Sequence, residues 1–212
     1  MDNGLLFVVT GPSGAGKTTL IKRLIQNNPE LHFSVSFTTR PIRKNEVDGR
    51  DYRFVNEETF FKMVKSDDLL EYALVHGYYY GTSKEYVESQ LKKSNILLDI
   101  DVQGALNVKN AMPDSAVCFI APPGYPELKK RLIKRATESE QDMKKRLEDA
   151  IDELKVIDRF DYLVINHESD QASQELTAIY IAENLRVHRQ ADKIKSFKQI
   201  DKGGLNNVKI RD

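Results

Sequence analysis

Residues Gly11 to Thr18 read Gly-Pro-Ser-Gly-Ala-Gly-Lys-Thr, between an apolar run, Leu5 to Thr10, and a helix-like stretch that begins Thr19-Leu20-Ile21. This is the pattern G-x-x-x-x-G-K-[ST] in the strand, loop, helix setting that it requires. Glycines let successive backbone N–H groups turn inward around phosphate oxygens, and the start of the following helix adds a favourable dipole. Ser13, Gly14, Ala15, Gly16, Lys17, Thr18 and Thr19 are therefore candidates for binding a nucleoside triphosphate. Lys17 supplies a cation for the β- and γ-phosphates, and Thr18 a hydroxyl for Mg²⁺.

The rest of the chain suits this start. Short apolar strands alternate with amphipathic helices, the signature of an α/β fold with a parallel sheet flanked by helices. Strands are predicted at Leu5–Thr10, Ile96–Asp101, Ala116–Ala121 and Tyr162–Asn166. Helices are predicted at Gly16–Gln26, Tyr125–Lys134, Gln141–Ile157 and Gln171–His188. Between Phe33 and Thr82 the texture changes to short strands around one helix, Glu57–Lys65, which predicts a small mixed subdomain inserted after the first helix. The polar stretch Lys202–Asp212 is expected to be a mobile tail.

Composition excludes several classes. Lys plus Arg and Asp plus Glu both number 32 among 212 residues, which argues against a polyanion binder and so against a nucleic-acid partner. The one cysteine, Cys118, stands in an apolar strand and fits a reducing cytoplasm. No apolar stretch approaches the roughly 20 residues of a membrane span, and the N-terminal apolar run leads into the phosphate loop rather than to a signal-peptide cleavage site. The four histidines show no metal-ligand spacing.

Arginine is the natural clamp for phosphate, because its planar fork bonds two oxygens and stays charged. Arg40 and Arg43 flank Pro41. Arg131, Arg135 and Arg146 form a second group. On one continuous helix Arg135 and Arg146 would stand roughly 16 Å apart. They meet one phosphate only if the chain reverses between them, and the polar stretch Ala136 to Glu140 predicts such a reversal, in a lid.

Further segments carry a resemblance. They are Thr38-Thr39-Arg40-Pro41-Ile42-Arg43, Asp48-Gly49-Arg50-Asp51-Tyr52, Tyr79-Tyr80-Gly81-Thr82, Leu98-Asp99-Ile100-Asp101-Val102-Gln103-Gly104 and Ile120-Ala121-Pro122-Pro123. With the phosphate loop, and in this order, they resemble the guanylate kinases, which transfer the γ-phosphoryl of ATP to GMP. The resemblance covers about residues 5 to 190. It implies a single domain over 1–201, with a core at 1–32 and 83–201, a GMP-binding subdomain at about 33–82 and a lid at about 124–157. It implies ATP and GMP as partners, with dGMP as a further acceptor, and Mg²⁺ as cofactor.

The resemblance also implies roles. Ser36, Glu71 and Thr82 correspond to guanine-facing positions. Arg40, Arg43, Tyr52 and Tyr80 correspond to the cradle of the GMP phosphate. Arg135 and Arg146 correspond to lid arginines at the transferring phosphoryl, so Lys17, Arg43, Arg135 and Arg146 are the expected catalytic set. Asp99 and Asp101 match an acidic pair on the GMP side, expected to share one face of a strand end, one to hold Mg²⁺ through water and one to touch the acceptor, and Asn166 matches an asparagine near the ATP base. Chemistry agrees for Glu71: a carboxylate accepts both N–H donors of guanine, an edge that adenine lacks. Without the resemblance, Glu71 reads as a surface strand carboxylate. Phe37, Tyr78, Ala136, Ser139 and His167 depart from the family pattern; Phe37 would narrow the acceptor pocket and Ala136 would stiffen the lid. Two other readings stay open, a small phosphate-loop kinase with another acceptor and a non-catalytic guanylate-kinase-like interaction module.

Overall fold

The computed structural model describes residues 4–135 and 140–198, without the side chains of 134–135, 140–142, 192 and 196–198. The expected tail, the departures Ala136 and Ser139, and the lid's polar break lie outside the described residues. Five strands form a parallel sheet: β1 (Leu6–Thr10), β2 (Leu31–Phe33), β7 (Asn95–Asp99), β8 (Ala116–Ala121) and β9 (Tyr162–Ile165), in the order β2-β7-β1-β8-β9. From central β1 the chain builds one side of the sheet and then the other. The loop after β1 therefore leaves the sheet at its switch point, where open parallel sheets bind ligands.

The apolar runs are nearly continuous because both faces of this sheet are covered. Alternation then sorts the side chains. Leu5, Phe7 and Val9 join Leu97, Cys118 and Ile120 in a core under α1 (Lys17–Asn27) and α7 (Ser169–Asn184). Leu6 and Val8 join Ile96, Leu98 and Val117 in a core under α3 (Lys84–Leu91) and α4 (Val102–Ala111). Cys118 is buried in the first of these, as its strand predicts.

A second sheet comprises β3 (Phe37–Thr38), β4 (Arg53–Phe54), β5 (Leu69–Val75) and β6 (Tyr78–Ser83), in the order β4-β3-β6-β5. Helix α2 (Glu57–Lys65) packs Phe60 against it, near Tyr72 and Tyr79. Asn56 starts α2 by accepting the Thr59 N–H at 2.8 Å, with acidic residues in the first turn and lysines in the last, as the helix dipole favours. His76 and Gly77 both take positive φ, 49° and 82°, and make the two-residue turn between β5 and β6.

Helices α5 (Tyr125–Arg135) and α6 (Glu140–Leu154) pack side by side through Leu128, Leu132, Leu147 and Ala150. Helix α8 (Ala191–Lys198) follows α7. Several bounds differ from expectation. Ile157 falls in a 3₁₀ turn beyond α6, α7 stops at Asn184, and β7 stops at Asp99, because Asp101 leaves the strand to cap α4.

Candidate active site

The phosphate loop is held open from outside. At Gly11, φ 132°, a Cβ would stand 2.1 Å from the Ile120 carbonyl oxygen on β8. At Gly16, φ 95°, which begins α1, a Cβ would stand 2.2 Å from the Asn166 amide nitrogen. Only glycine meets both the backbone angle and the approach. Asn166, buried just beyond β9, donates from Nδ2 to the Ala15 carbonyl at 2.7 Å. Arg131 donates to the Asn166 carbonyl at 3.1 Å and to the Ala15 carbonyl at 3.5 Å. The end of β9 and the face of α5 thus brace the loop. Lys17 lies across its mouth, donating to the carbonyls of Gly11 at 2.5 Å and Pro12 at 3.3 Å. Thr18 and Thr19 are exposed in the first turn of α1.

One cleft runs from this loop to the second sheet. Gly14, Gly16, Lys17 and Thr18 line it together with Ser36, Tyr52, Glu71, Tyr80, Asp99 and Asp101. Glu71 belongs to β5, where Leu69 and Ala73 share its inward face. It is 5% exposed, and its Oε1 accepts the Thr82 hydroxyl at 2.6 Å. Burial pushes its carboxyl up to about 7; the Thr82 hydroxyl opposes this and Asp101 adds to it. Glu71 is therefore no surface carboxylate. Thr82 does not line the cleft itself; it acts behind Glu71.

Asp99 ends β7, and burial raises its carboxyl against the pull of Lys17. Asp101 does not share its strand face. Its Oδ1 accepts the backbone N–H groups of Gln103 at 2.8 Å and Gly104 at 3.1 Å, so it caps α4. A helix start leaves such donors free, and an aspartate two residues beyond the strand end is placed to take them.

Tyr52 and Tyr80 meet edge to face, 5.7 Å between centroids. Burial first and Asp99 second push the Tyr52 hydroxyl up to about 12, so it stays a donor. Arg40 is 7% exposed and donates to Tyr80 Oη at 3.1 Å. Its fork also spans both oxygens of Glu46, at 3.1 and 2.8 Å. Arg43 is exposed on the same loop and does not line the cleft. Phe37 does not narrow the cleft: its ring lies under the Arg53 guanidinium, 5.6 Å away, and is absent from the lining.

Helix α6 turns one charged face inward. Arg146 donates from Nη2 to the Ser13 hydroxyl at 2.8 Å. Asp149 stands 3.4 Å from His76 in the β5–β6 turn. Glu153 lines the cleft itself. Burial pushes Glu153 up to about 7 against the pull of Lys17, with Asp101 and Asp149 adding to the rise. The Arg135 side chain lies outside the described residues. Glu153, His76 and Glu46 are site residues that sequence reasoning missed. Glu153 had a signal, since Arg146, Asp149 and Glu153 at i, i+3 and i+7 share one helical face that adjoins the apolar Leu147–Ala150–Leu154 stripe.

The family model described as guanylate kinase matches residues 4–183, which includes the loop, both sheets and α6. The chain belongs to the guanylate kinase family. It is 46% identical over 201 residues to the guanylate kinase of Thermotoga maritima, covering 94% of this chain and 97% of that protein. It is 47% identical over 190 residues to that of Caldanaerobacter subterraneus subsp. tengcongensis, covering 89% and 92%. The crystal structure of guanylate kinase from Anaplasma phagocytophilum matches the fold with a TM-score of 0.76 at 28% identity, covering 95% of this chain and 98% of that one. Among the described residues no helix is long and apolar enough to cross a membrane.

Proposed function

We propose that the chain transfers the γ-phosphoryl of ATP to the phosphate of GMP, and of dGMP. One observation carries this beyond the family: Lys17 of the phosphate loop and the buried carboxylate Glu71 line a single cleft. A cation suited to a triphosphate and an acceptor suited to the guanine edge belong together only in an enzyme that handles both.

In this reading Ser13 to Thr19 hold the ATP phosphates, with Asn166 keeping the loop in shape from behind. Thr18 is a hard oxygen donor beside Lys17, suited to Mg²⁺ shared with phosphates and water, and of Asp99 and Asp101 one holds that ion through water while the other meets GMP. Mg²⁺, when bound, neutralises charge on the β- and γ-oxygens. Ser36, Glu71 and Thr82 recognise guanine, with the Thr82 hydroxyl orienting the Glu71 carboxylate. Arg40, Tyr52 and Tyr80 cradle the acceptor phosphate, Arg43 swings in to it from its exposed loop, and Glu46 holds the Arg40 fork in place until it arrives. Arg135 and Arg146 approach the moving phosphoryl from the lid, about 124–157, while the GMP-binding subdomain, about 33–82, closes from the other side of the core. Transfer needs positioning and charge neutralisation rather than a covalent intermediate, and closure keeps water from the γ-phosphate.

A coupled assay of ADP release with GMP, dGMP, AMP, UMP and CMP tests this. GMP should give the highest kcat/KM with dGMP next, and AMP should be poorer by at least about tenfold, as an unmatched polar edge demands. Equal turnover of AMP and GMP, or none with either, would remove the reading.

A further inference from the structure

Gly104, in the first turn of α4, stands directly behind the Glu71 carboxyl. A Cβ built on it would lie 2.6 Å from Glu71 Oε2, 3.2 Å from Glu71 Cδ and 3.3 Å from Asp101 Oδ2. Its own backbone shows no strain, since it is not among the positive-φ residues. Alanine would suit this helical backbone and even favour it by roughly 0.5–1 kcal/mol. What a side chain here would strike first is the Glu71 carboxylate, with Asp101 Oδ2 next at 3.3 Å.

The two oxygens of Glu71 are thereby told apart. Oε1 is fixed by the Thr82 hydroxyl at 2.6 Å. Oε2 rests over the bare Cα of Gly104, whose N–H is already committed to Asp101. We propose that Gly104 is a positioning residue for acceptor specificity: its missing side chain sets the rotation of the Glu71 carboxylate about its last bond, so that both oxygens meet the two guanine N–H donors. The proposal rests on the reading of Glu71 as the guanine acceptor. A methyl group at position 104 pushes Oε2 aside. The flexible carboxyl yields before the helix or strand does, and the Thr82 bond tilts with it. The three atoms nearest to this Cβ belong to Glu71 and Asp101, not to the phosphate loop or α1.

The test compares wild type, Gly104→Ala, Glu71→Ala and the double variant by steady-state kinetics with GMP, AMP and ATP, and by thermal melting. Gly104→Ala should raise the KM for GMP about tenfold to a hundredfold, the range that a well-aligned bidentate base contact is worth. It should leave the KM for ATP and the kcat at saturating GMP within about twofold, and lower the preference for GMP over AMP. In the Glu71→Ala background the same substitution should cost nothing further, because the atom it strikes is gone. A loss of folding would lower the melting temperature and the affinity for ATP as well, and the double variant, which keeps only the 3.3 Å approach to Asp101 Oδ2, would still report the coupling. A wild-type KM for GMP in Gly104→Ala, or an effect that adds in full to that of Glu71→Ala, overturns the proposal. A wild-type KM for GMP in Glu71→Ala itself overturns the guanine reading beneath it, which is a different result.

Discussion

Arg146 donates to the Ser13 hydroxyl at 2.8 Å across 133 residues of chain. The bond ties α6 to the tip of the phosphate loop, so the helix reports directly on what the loop holds. In the function proposed, Arg146 acts chiefly when the cleft is closed around the reacting phosphates. Arg146→Ala should therefore lower kcat by on the order of 10²–10³ while changing the KM for GMP little, the pattern of a contact made in the transition state. A raised KM for GMP with unchanged kcat would show that the contact serves ground-state binding instead.

Lys17 spans the loop mouth on the carbonyls of Gly11 and Pro12. In the function proposed it releases these for phosphate, and no other residue from Gly11 to Thr18 carries charge. Lys17→Ala should cost on the order of 10²–10³ in rate, with an unchanged circular dichroism spectrum and melting temperature. Near-native turnover with ATP and GMP would mean that the loop is not the catalytic centre.

Asn166 braces the loop through Ala15 while its amide fills the space a Gly16 side chain would need. Asn166→Ala leaves the Ala15 carbonyl only the long 3.5 Å bond from Arg131, a loss of about 1 kcal/mol in stability. The KM for ATP should rise while the KM for GMP stays nearly constant, because the brace lies on the loop side of the cleft. Urea denaturation with and without ATP measures the first effect and initial rates the second. Equal changes in both KM values would point to a general loss of folding.

Burial raises Glu71 and Glu153 from 4.5 to about 7. The folded chain thus keeps protons that the unfolded chain releases from about pH 4.5 upward. Their contribution is intact below the unfolded pKa and is lost as pH rises through about 7. At about 1.4 kcal/mol per unit, each ionised carboxylate costs on the order of 3 kcal/mol at pH 8. Glu71→Gln and Glu153→Gln should each raise the melting temperature of the ligand-free protein at pH 8 and change it little at pH 4. Gains of equal size at both pH values would show that ionisation is not their source. Activity should separate the two: Glu71→Gln raises the KM for GMP, and the acidic limb of kcat/KM for GMP, centred near pH 7 in wild type, disappears with it.

Much of the core was legible in the residues. The spans Leu6–Thr10 and Ala116–Ala121 declare themselves because a doubly covered parallel strand must be apolar throughout. Other elements hid. Helix α3 follows β6 with no loop between them, and only Val87 and Leu91 are buried along it, too sparse a stripe to read. Strand β2 has three residues and owes its existence to pairing with β7.

Chemistry along the chain determined the phosphate loop, the alternating α/β order and the grouping of arginines, since these need only neighbours in sequence. The carboxylate at 71 needed the tertiary structure. Along β5, Leu70, Tyr72 and Leu74 look like the buried face and Glu71 like the wet one, yet Tyr72 and Leu74 are 45% and 61% exposed and Glu71 is 5% exposed. Period-two alternation fixes which residues share a face but not which face meets the core. Docking of α4 on β5 made that choice, with Gly104 giving the space and Thr82 the hydrogen bond that let a carboxylate face inward.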